Sequence, residues 1–256
     1  MPAPPDVLIS IVNHENRDLV RACLLSLPAA CDGIGWEATV IDNVSGDGSL
    51  EMLAREFPEV RVVANRVRMG FGANHNQAFG HCATPWFLVL NPDIRFDRDI
   101  LAPLVGQARP DSGLLTPRIL EPGKDEPEQH RAIITPHEIL VRRRPGYQRP
   151  AVPHWIPGLF MLFRSDAYRE VGGFDERFFM YGEDFDICAR TQLAGWKLQV
   201  AEDLLARHDA QRASRTSHRH LYWHVTSLLK VWSSAAFWRY RRLVAGASGG
   251  TRGGQA

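Results

Sequence analysis

This chain has little surplus charge. Thirty Lys and Arg residues stand against 29 Asp and Glu in 256 residues, a formal charge of +1. General nucleic-acid binding needs a basic surplus, so no nucleic-acid partner is expected, and the short run Arg142, Arg143, Arg144 does not restore one. Cysteine is scarce too. Cys23, Cys31, Cys82 and Cys188 form no ligand-spaced pair, which argues against a zinc module or disulfide framework and fits reduced thiols in a cytoplasmic protein. No apolar run approaches the about 20 residues of a membrane span. The opening MPAPPD lacks a basic region and is not expected to be a signal peptide. There is no G-x-G-x-x-G directly after the first strand and no Walker loop. His75 and His81 lack the i,i+4 spacing of a ligand pair, so both read as packing or surface histidines.

What is present is an alternation of strand and helix patterns. With 45% hydrophobic residues, a packed core is expected. Val7 to Val12 reads as a buried strand. A helix follows, striped by Val20, Cys23, Leu24 and Leu27 and ended by Pro28. Ala38 to Ile41 is a second strand, and the turn Gly46 to Ser49 starts a helix lined by Leu50, Leu53, Ala54 and Phe57. Val60 to Ala64 is a third strand, and Gly70 to Cys82 a helix of small residues. Phe87 to Leu90 is a fourth strand. Three strand–helix units in series predict an α/β fold with a mostly parallel, Rossmann-like sheet flanked by helices. Beyond it come a short helix at Leu101 to Val105 and a strand at Gly113 to Leu120. Residues 121–153 form a long, charged, proline-rich loop or lid. Structure resumes at Gly158 to Phe163. Ser165 then caps a short helix ending at Gly172-Gly173, and a further helix spans Glu183 to Ala194.

Two strand ends and one helix start concentrate carboxylates. Asp42 follows the second strand. Asp93 follows the fourth, just beyond Asn91-Pro92, where proline fixes its own φ and removes a donor. In a parallel sheet both reach the edge where ligands gather. One carboxylate can read donor groups on a base; the other can hold Mg2+ or Mn2+ against a diphosphate. Plain turns explain either residue alone. The stretch GGFDERFFMYGEDFDICARTQLAGW brings Glu183, Asp184 and Asp186 to a helix start, where helix capping competes with a general-base role for Asp184. His208, after the strand-like KLQV, fits either a metal site or a solvated histidine.

Taken together, VLISIVNHENRD, VIDNVSGDGS, ANRVRMGFGANHNQAF, FLVLNPDI, GLFMLFRSDAYREVGGFDERFFMYGEDFDICARTQLAGW and RHD resemble the family two glycosyltransferases of the GT-A fold, in their rhamnosyltransferase-like branch. The likeness runs from about Val7 to His208. It implies that Asp42 contacts the nucleotide base. Asp93 stands for the metal carboxylate of a DxD-type motif, here Asn91-Pro92-Asp93. Asp184 stands for the catalytic base, and His208 assists the metal or diphosphate. The implied donor-contact set is Asp42, Gly70, Asn91, Asp93 and Glu183, and the implied metal set is Asp93 and His208. The implied reaction inverts the sugar in one displacement, moving rhamnose from its deoxythymidine diphosphate, or a hexose from uridine diphosphate, to a glycan or lipid-diphosphate-linked glycan. A non-catalytic carbohydrate-binding protein is the competing reading, opposed by the intact Asp42, Asp93 and Asp184. His14 replaces the family's usual tyrosine, and Ile94 its usual threonine.

On this reading residues 1–210 are the catalytic domain, 211–244 a helical extension and 245–256 a flexible tail. In the extension Leu221, Val225, Leu228, Trp232 and Ala235 recur at heptad spacing. Such a stripe fits core packing, a homodimer or, with Trp223, Trp232, Trp238, Arg239, Arg241 and Arg242, peripheral contact with the inner face of the cell membrane.

Overall fold

The computed structural model describes residues 5–121, 123, 126–127, 130–142, 144, 146–148, 150–209 and 218–250, with backbone alone at 218–220 and 247–250. Arg143 lies outside the described residues. In chain order the elements are β1 (Val7–Asn13), α1 (Arg17–Ala30), β2 (Trp36–Asp42), α2 (Ser49–Glu56), β3 (Arg61–Ala64), α3 (Phe71–Phe79), β4 (Trp86–Leu90), β5 (Ile94–Arg95) and α4 (Leu101–Gly106). There follow β6 (Ser112–Leu120), α5 (Pro136–Val141), β7 (Phe160–Arg164), α6 (Ser165–Glu170), α7 (Glu183–Leu193), β8 (Lys197–His208), α8 (His218–Ser233) and α9 (Ala235–Gly250).

The eight strands form one sheet in the order β3-β2-β1-β4-β7-β6-β8-β5. Its N-terminal half is parallel: β1 pairs with β2 and β4, and β2 with β3. β7 then inserts antiparallel between β4 and β6, β8 runs parallel to β6, and β5 pairs antiparallel with β8. The sheet is therefore mixed. Strand side chains alternate between its faces. Ile9, Ile11, Leu88 and Leu90 join Val20, Leu24 and Leu27 of α1 in one buried cluster. Leu8, Phe87 and Val89 join Tyr168, Phe185 and Ile187 in the other.

Several local expectations are corrected. Pro28 lies inside α1, which continues to Ala30; in the last turn it forgoes its own donor without stopping the chain. In α2 the buried residues are Ser49, Met52 and Leu53, while Leu50 faces solvent. Ser165 is the first residue of α6, whose cap residue is Arg164. The long loop contains α5, capped by the Thr135 hydroxyl accepting from Glu138 N–H at 3.1 Å. Residues 245–250, expected in a flexible tail, continue α9; residues 251–256 are outside the described set.

The heptad stripe is corrected as well. Leu221 and Val225 are exposed, and the helix breaks at Ser234, whose hydroxyl accepts from Phe237 N–H at 3.1 Å and starts α9. Of the stripe, Leu228 and Trp232 are partly buried against the second cluster, while Ser227, Val231, Phe237 and Tyr240 are fully buried. The last three pack with Phe185 in the second cluster, so core packing accounts for the inner face.

Candidate active site

The parallel register delivers the carboxyl ends of β1, β2 and β4 to one edge. Asn13 pairs with Asp42 in register, and its side-chain amide donates to Asp42 Oδ1 at 2.9 Å and to Ser45 Oγ at 3.0 Å. Ser45 N–H donates to Asp42 Oδ2 at 3.0 Å. Asp42 is thus fixed in orientation and only 2% exposed. Each carboxylate oxygen has a second lone pair, which is the capacity a base-reading role needs. His14 Nδ1 lies 2.9 Å from the Asn43 carbonyl oxygen, a local contact. Asn43, Asn65 and Asn74 continue the network. Asn43 Oδ1 accepts from Met69 N–H at 2.8 Å, Asn65 donates to Asn74 Oδ1 at 2.7 Å, and Asn74 donates to the Gly70 carbonyl at 2.8 Å.

Gly70 owes its lack of a side chain to the protein itself. A Cβ there would lie 2.7 Å from the Phe178 carbonyl oxygen, and the next residue's N–H donates to Phe179 O at 2.8 Å. Its φ is an ordinary −69°, so close approach is the reason for glycine here.

Asn-Pro-Asp is both a turn and a presentation. Ile94 N–H bonds the Asn91 carbonyl at 3.2 Å, with Pro92 at the position of the turn that its fixed φ suits. The turn reverses the chain into β5. There Ile94 pairs with His208, and that register sets His208 Nε2 3.0 Å from Asp93 Oδ2. Asp93 Oδ1 is buried with no hydrogen-bond partner. Glu121 Oε1 lies 4.0 Å from His208 Nδ1. No group of three or more acidic, His or Cys side chains suited to a metal occurs among the described residues. A carboxylate with an orphaned oxygen beside an imidazole still fits a divalent ion whose shell substrate phosphates complete.

Asp184 joins the same edge through β7. Asn91 N–H bonds the Leu159 carbonyl at 3.0 Å, and the preceding residue, Gly158, turns its N–H toward Asp184 Oδ2 at 3.4 Å. Phe185 N–H donates to Asp184 Oδ1 at 2.8 Å. Burial raises the Asp184 pKa, opposed by these two N–H donors and the Arg131 guanidinium. Glu183 is 6% exposed, and its Oε2 is buried without a partner. Burial and then the charge of Asp184 push its pKa up to about 8. Backbone N–H groups of Glu183 and Tyr181 oppose that rise without cancelling it, whereas Asp184 has the Arg131 guanidinium beside its N–H donors, so Glu183 holds the proton. Asp186 instead pairs with Arg190 at 2.7 Å, a structural contact.

The Glu183 proton has a stability consequence. Its raised pKa means stabilisation fully present below the unfolded value near 4.5 and lost as pH rises through about 8. Glu183→Gln keeps the shape and stays neutral. Its melting temperature should therefore fall less than the parent's from about pH 5 to about pH 9, measured by thermal denaturation. Parallel curves would refute the assignment.

Among the described residues, positive φ at a non-glycine position occurs at Glu15 (55°), Val44 (66°) and Tyr181 (72°). The first two flank the Asn13–Asp42 network and the third immediately precedes Gly182 and α7. Such strain collects where surrounding structure fixes a functional shape.

The family model for glycosyl transferase family 2 matches residues 6–172. The chain belongs to this family. A second model, glycosyl transferase family group 2, matches residues 139–244. This family 2 glycosyltransferase is 29% identical over 216 residues to the N-acetylglucosaminyl-diphospho-decaprenol L-rhamnosyltransferase of Mycobacterium tuberculosis, covering 72% of this chain and 70% of that one. It is 26% identical to the rhamnosyltransferase WbbL of Escherichia coli, covering 88% of this chain and 91% of that one. Among solved structures, a mannosyltransferase from Pyrobaculum calidifontis with GDP-Man and Mn2+ superposes with a TM-score of 0.63 at 17% identity, covering 99% of this chain and 77% of that one. Staphylococcus aureus TarS with UDP superposes with a TM-score of 0.59 at 16% identity, covering 79% and 60%. The solved structures show the GT-A fold, the family model shows family 2, and two of the chain's relatives are named rhamnosyltransferases.

Sequence reasoning named Asp42, Gly70, Asn91, Asp93, Glu183, Asp184 and His208. The fold brings Asp93 into contact with His208, and links Asn91 to Asp184 through Leu159 and Gly158. It missed Asn13 and Ser45, which hold Asp42, and Glu121 and Arg131, which approach His208 and Asp184 from the long loop. Asn13 carried a signal as the residue ending the first strand; the loop residues carried none.

Proposed function

We propose that this glycosyltransferase transfers rhamnose from deoxythymidine diphosphate rhamnose, with inversion, to a hydroxyl of a lipid-diphosphate-linked glycan. The observation that carries the reading is the Asp184 carboxylate, held by Gly158 and Phe185 at the sheet edge that also presents Asp93. The named activities of the two rhamnosyltransferase relatives support the sugar and, for the mycobacterial one, the diphosphate-linked acceptor.

Each side chain has a task. Asp42, fixed by Asn13, accepts from the base. Asn91 and Gly70 shape the donor cleft. Asp93 and His208 would hold Mg2+ or Mn2+, which when bound offsets charge on the departing diphosphate. Asp184 takes the proton of the acceptor hydroxyl as that oxygen attacks the anomeric carbon opposite the leaving group. Glu183 stays neutral behind it, which leaves one anion rather than two against the donor. Among the described residues no other carboxylate is held by the Asp184 network in a way that suits the nucleophile of a two-step retaining route.

Among the described residues no helix is long and apolar enough to cross a membrane. The proposed place of action is the cytoplasmic face of the membrane, reached peripherally, where a lipid-linked acceptor is presented. Purified protein incubated with a panel of nucleotide-sugars and an N-acetylglucosaminyl diphosphate lipid analogue, with and without divalent metal, tests the reading. Turnover is expected with the deoxythymidine diphosphate sugar and metal. Preference for a uridine diphosphate hexose would replace the sugar assignment while keeping the mechanism. No turnover with any donor would overturn both.

A further inference from the structure

The whole-chain charge balance hides a division. Residues 1–209 hold 22 Lys and Arg and all 29 Asp and Glu, a net of −7; residues 210–256 hold eight Lys and Arg and no acidic residue, a net of +8. The described part of this basic segment is the pair α8 and α9.

α8 has two working faces. On the outer one Leu221, Tyr222, Val225 and Leu229 are 61%, 66%, 49% and 59% exposed. At about 100° per residue they share one sector of roughly 100°. On α9, Trp238 and Leu243 are 45% and 51% exposed, and Arg241 lies over the Trp238 ring at 5.4 Å. Arg239 and Arg242 face solvent.

The inner face of α8 grips the segment that leads into the catalytic helix. Ser227 Oγ donates to Met180 O at 2.9 Å, and Lys230 Nζ to Arg177 O at 2.6 Å. The Trp223 ring lies 5.0 Å from Phe179, and His224 stacks on Tyr181 at 3.5 Å with an interplanar angle of 10°. Val231 Cγ2 would lie 2.9 Å from a Cβ at Gly182. These contacts hold Tyr181 at its strained φ, three residues before Asp184.

We propose that α8 and α9 seat the protein on an anionic lipid bilayer, and that the inner face of α8 passes this seating to residues 177–184, firming the position of Asp184. An apolar sector beside arginines suits an interface rich in anionic headgroups, with Trp and Tyr at headgroup depth. A second copy of the chain would instead bring another all-basic segment against this one, a like-charge pairing. The catalytic half of the proposal rests on the reading of Asp184 as general base; the seating does not.

The test uses the full chain and no sugar donor, so failure of the transferase reading leaves it intact. Vesicles of phosphatidylcholine mixed with phosphatidylglycerol are sedimented with the protein at low salt, beside vesicles of phosphatidylcholine alone. Binding should be at least about tenfold tighter to the anionic vesicles and should weaken as salt shortens the range of charge attraction. Joint Leu221→Gln, Val225→Gln and Leu229→Gln, or joint Arg239→Gln, Arg241→Gln and Arg242→Gln, should each cost about tenfold in binding. Hydrogen exchange of the amides at 178–186 should slow severalfold on anionic vesicles. His224→Ala, checked for an unchanged fold by circular dichroism, should still bind vesicles but lose that slowing. Absence of sedimentation with anionic vesicles overturns the seating, as does a stable dimer in ultracentrifugation that the outer-face Gln variant dissolves. Sedimentation with no change in exchange at 178–186 overturns the coupling.

Discussion

Asp184→Asn should lower turnover by about 10²-fold or more, the scale of a lost general base, while the affinity for the nucleotide-sugar stays within a few-fold. The substitution keeps size, and its single amide oxygen can still accept the 2.8 Å bond from Phe185 N–H, giving up only the long 3.4 Å contact with Gly158 N–H. What it removes is the ability to take a proton. Glu183→Gln supplies the contrast. Because Glu183 is the protonated member, with its pKa pushed up to about 8, a neutral amide is close to its working form. Its turnover near neutral pH should remain within about tenfold of the parent's. Steady-state rates of the two variants, with donor binding measured separately, decide the matter. If Glu183→Gln is the dead variant and Asp184→Asn is active, the roles are reversed.

Asp93→Ala should abolish the enhancement of nucleoside diphosphate binding by Mg2+ or Mn2+. Loss of outer partners of a metal ligand costs about 10–100-fold in affinity, and loss of the ligand itself should reach at least the upper end. Asp93 has an oxygen to offer an ion: Oδ1 is buried and unmatched, and Oδ2 faces His208 Nε2 at 3.0 Å. Asp93→Asn guards against a trivial loss of fold, since it preserves the turn begun at Asn91. Calorimetric titration of the diphosphate in metal and in chelator gives the measurement. Equal enhancement by metal in parent and both variants would remove Asp93 from the metal site.

Where chemistry follows local chain direction, the sequence was readable. Asp93 sits one residue past a proline at a strand end, and Glu183 with Asp184 opens a helix behind a glycine; both signals are local. The buried runs of β1 and β4 likewise announce central parallel strands. What pairs at long range was hidden. Asp42 depends on Asn13, 29 residues away, and His208 meets Asp93 across 115 residues because β5 and β8 pair. The insertion of β7 beside β4 has no signature in either segment. The α8 stripe misled for a different reason. Both faces of that helix carry apolar residues, and the buried one is chosen by Ser227 reaching Met180 O and Val231 reaching Gly182, not by heptad spacing.

The place of β7 in the sheet also bears on the birth of the protein. All five residues of β4 are buried in the finished sheet, yet one edge of that strand is closed only by β7, which begins at Phe160, 70 residues after Leu90. At translation rates of about 5–20 residues per second, that edge waits roughly 4–14 seconds for its neighbour. An open apolar strand edge is a template for pairing with other chains. The nascent N-terminal half is thus a natural client for chaperones, and stalled or truncated products ending in the 121–153 loop are the species expected to aggregate.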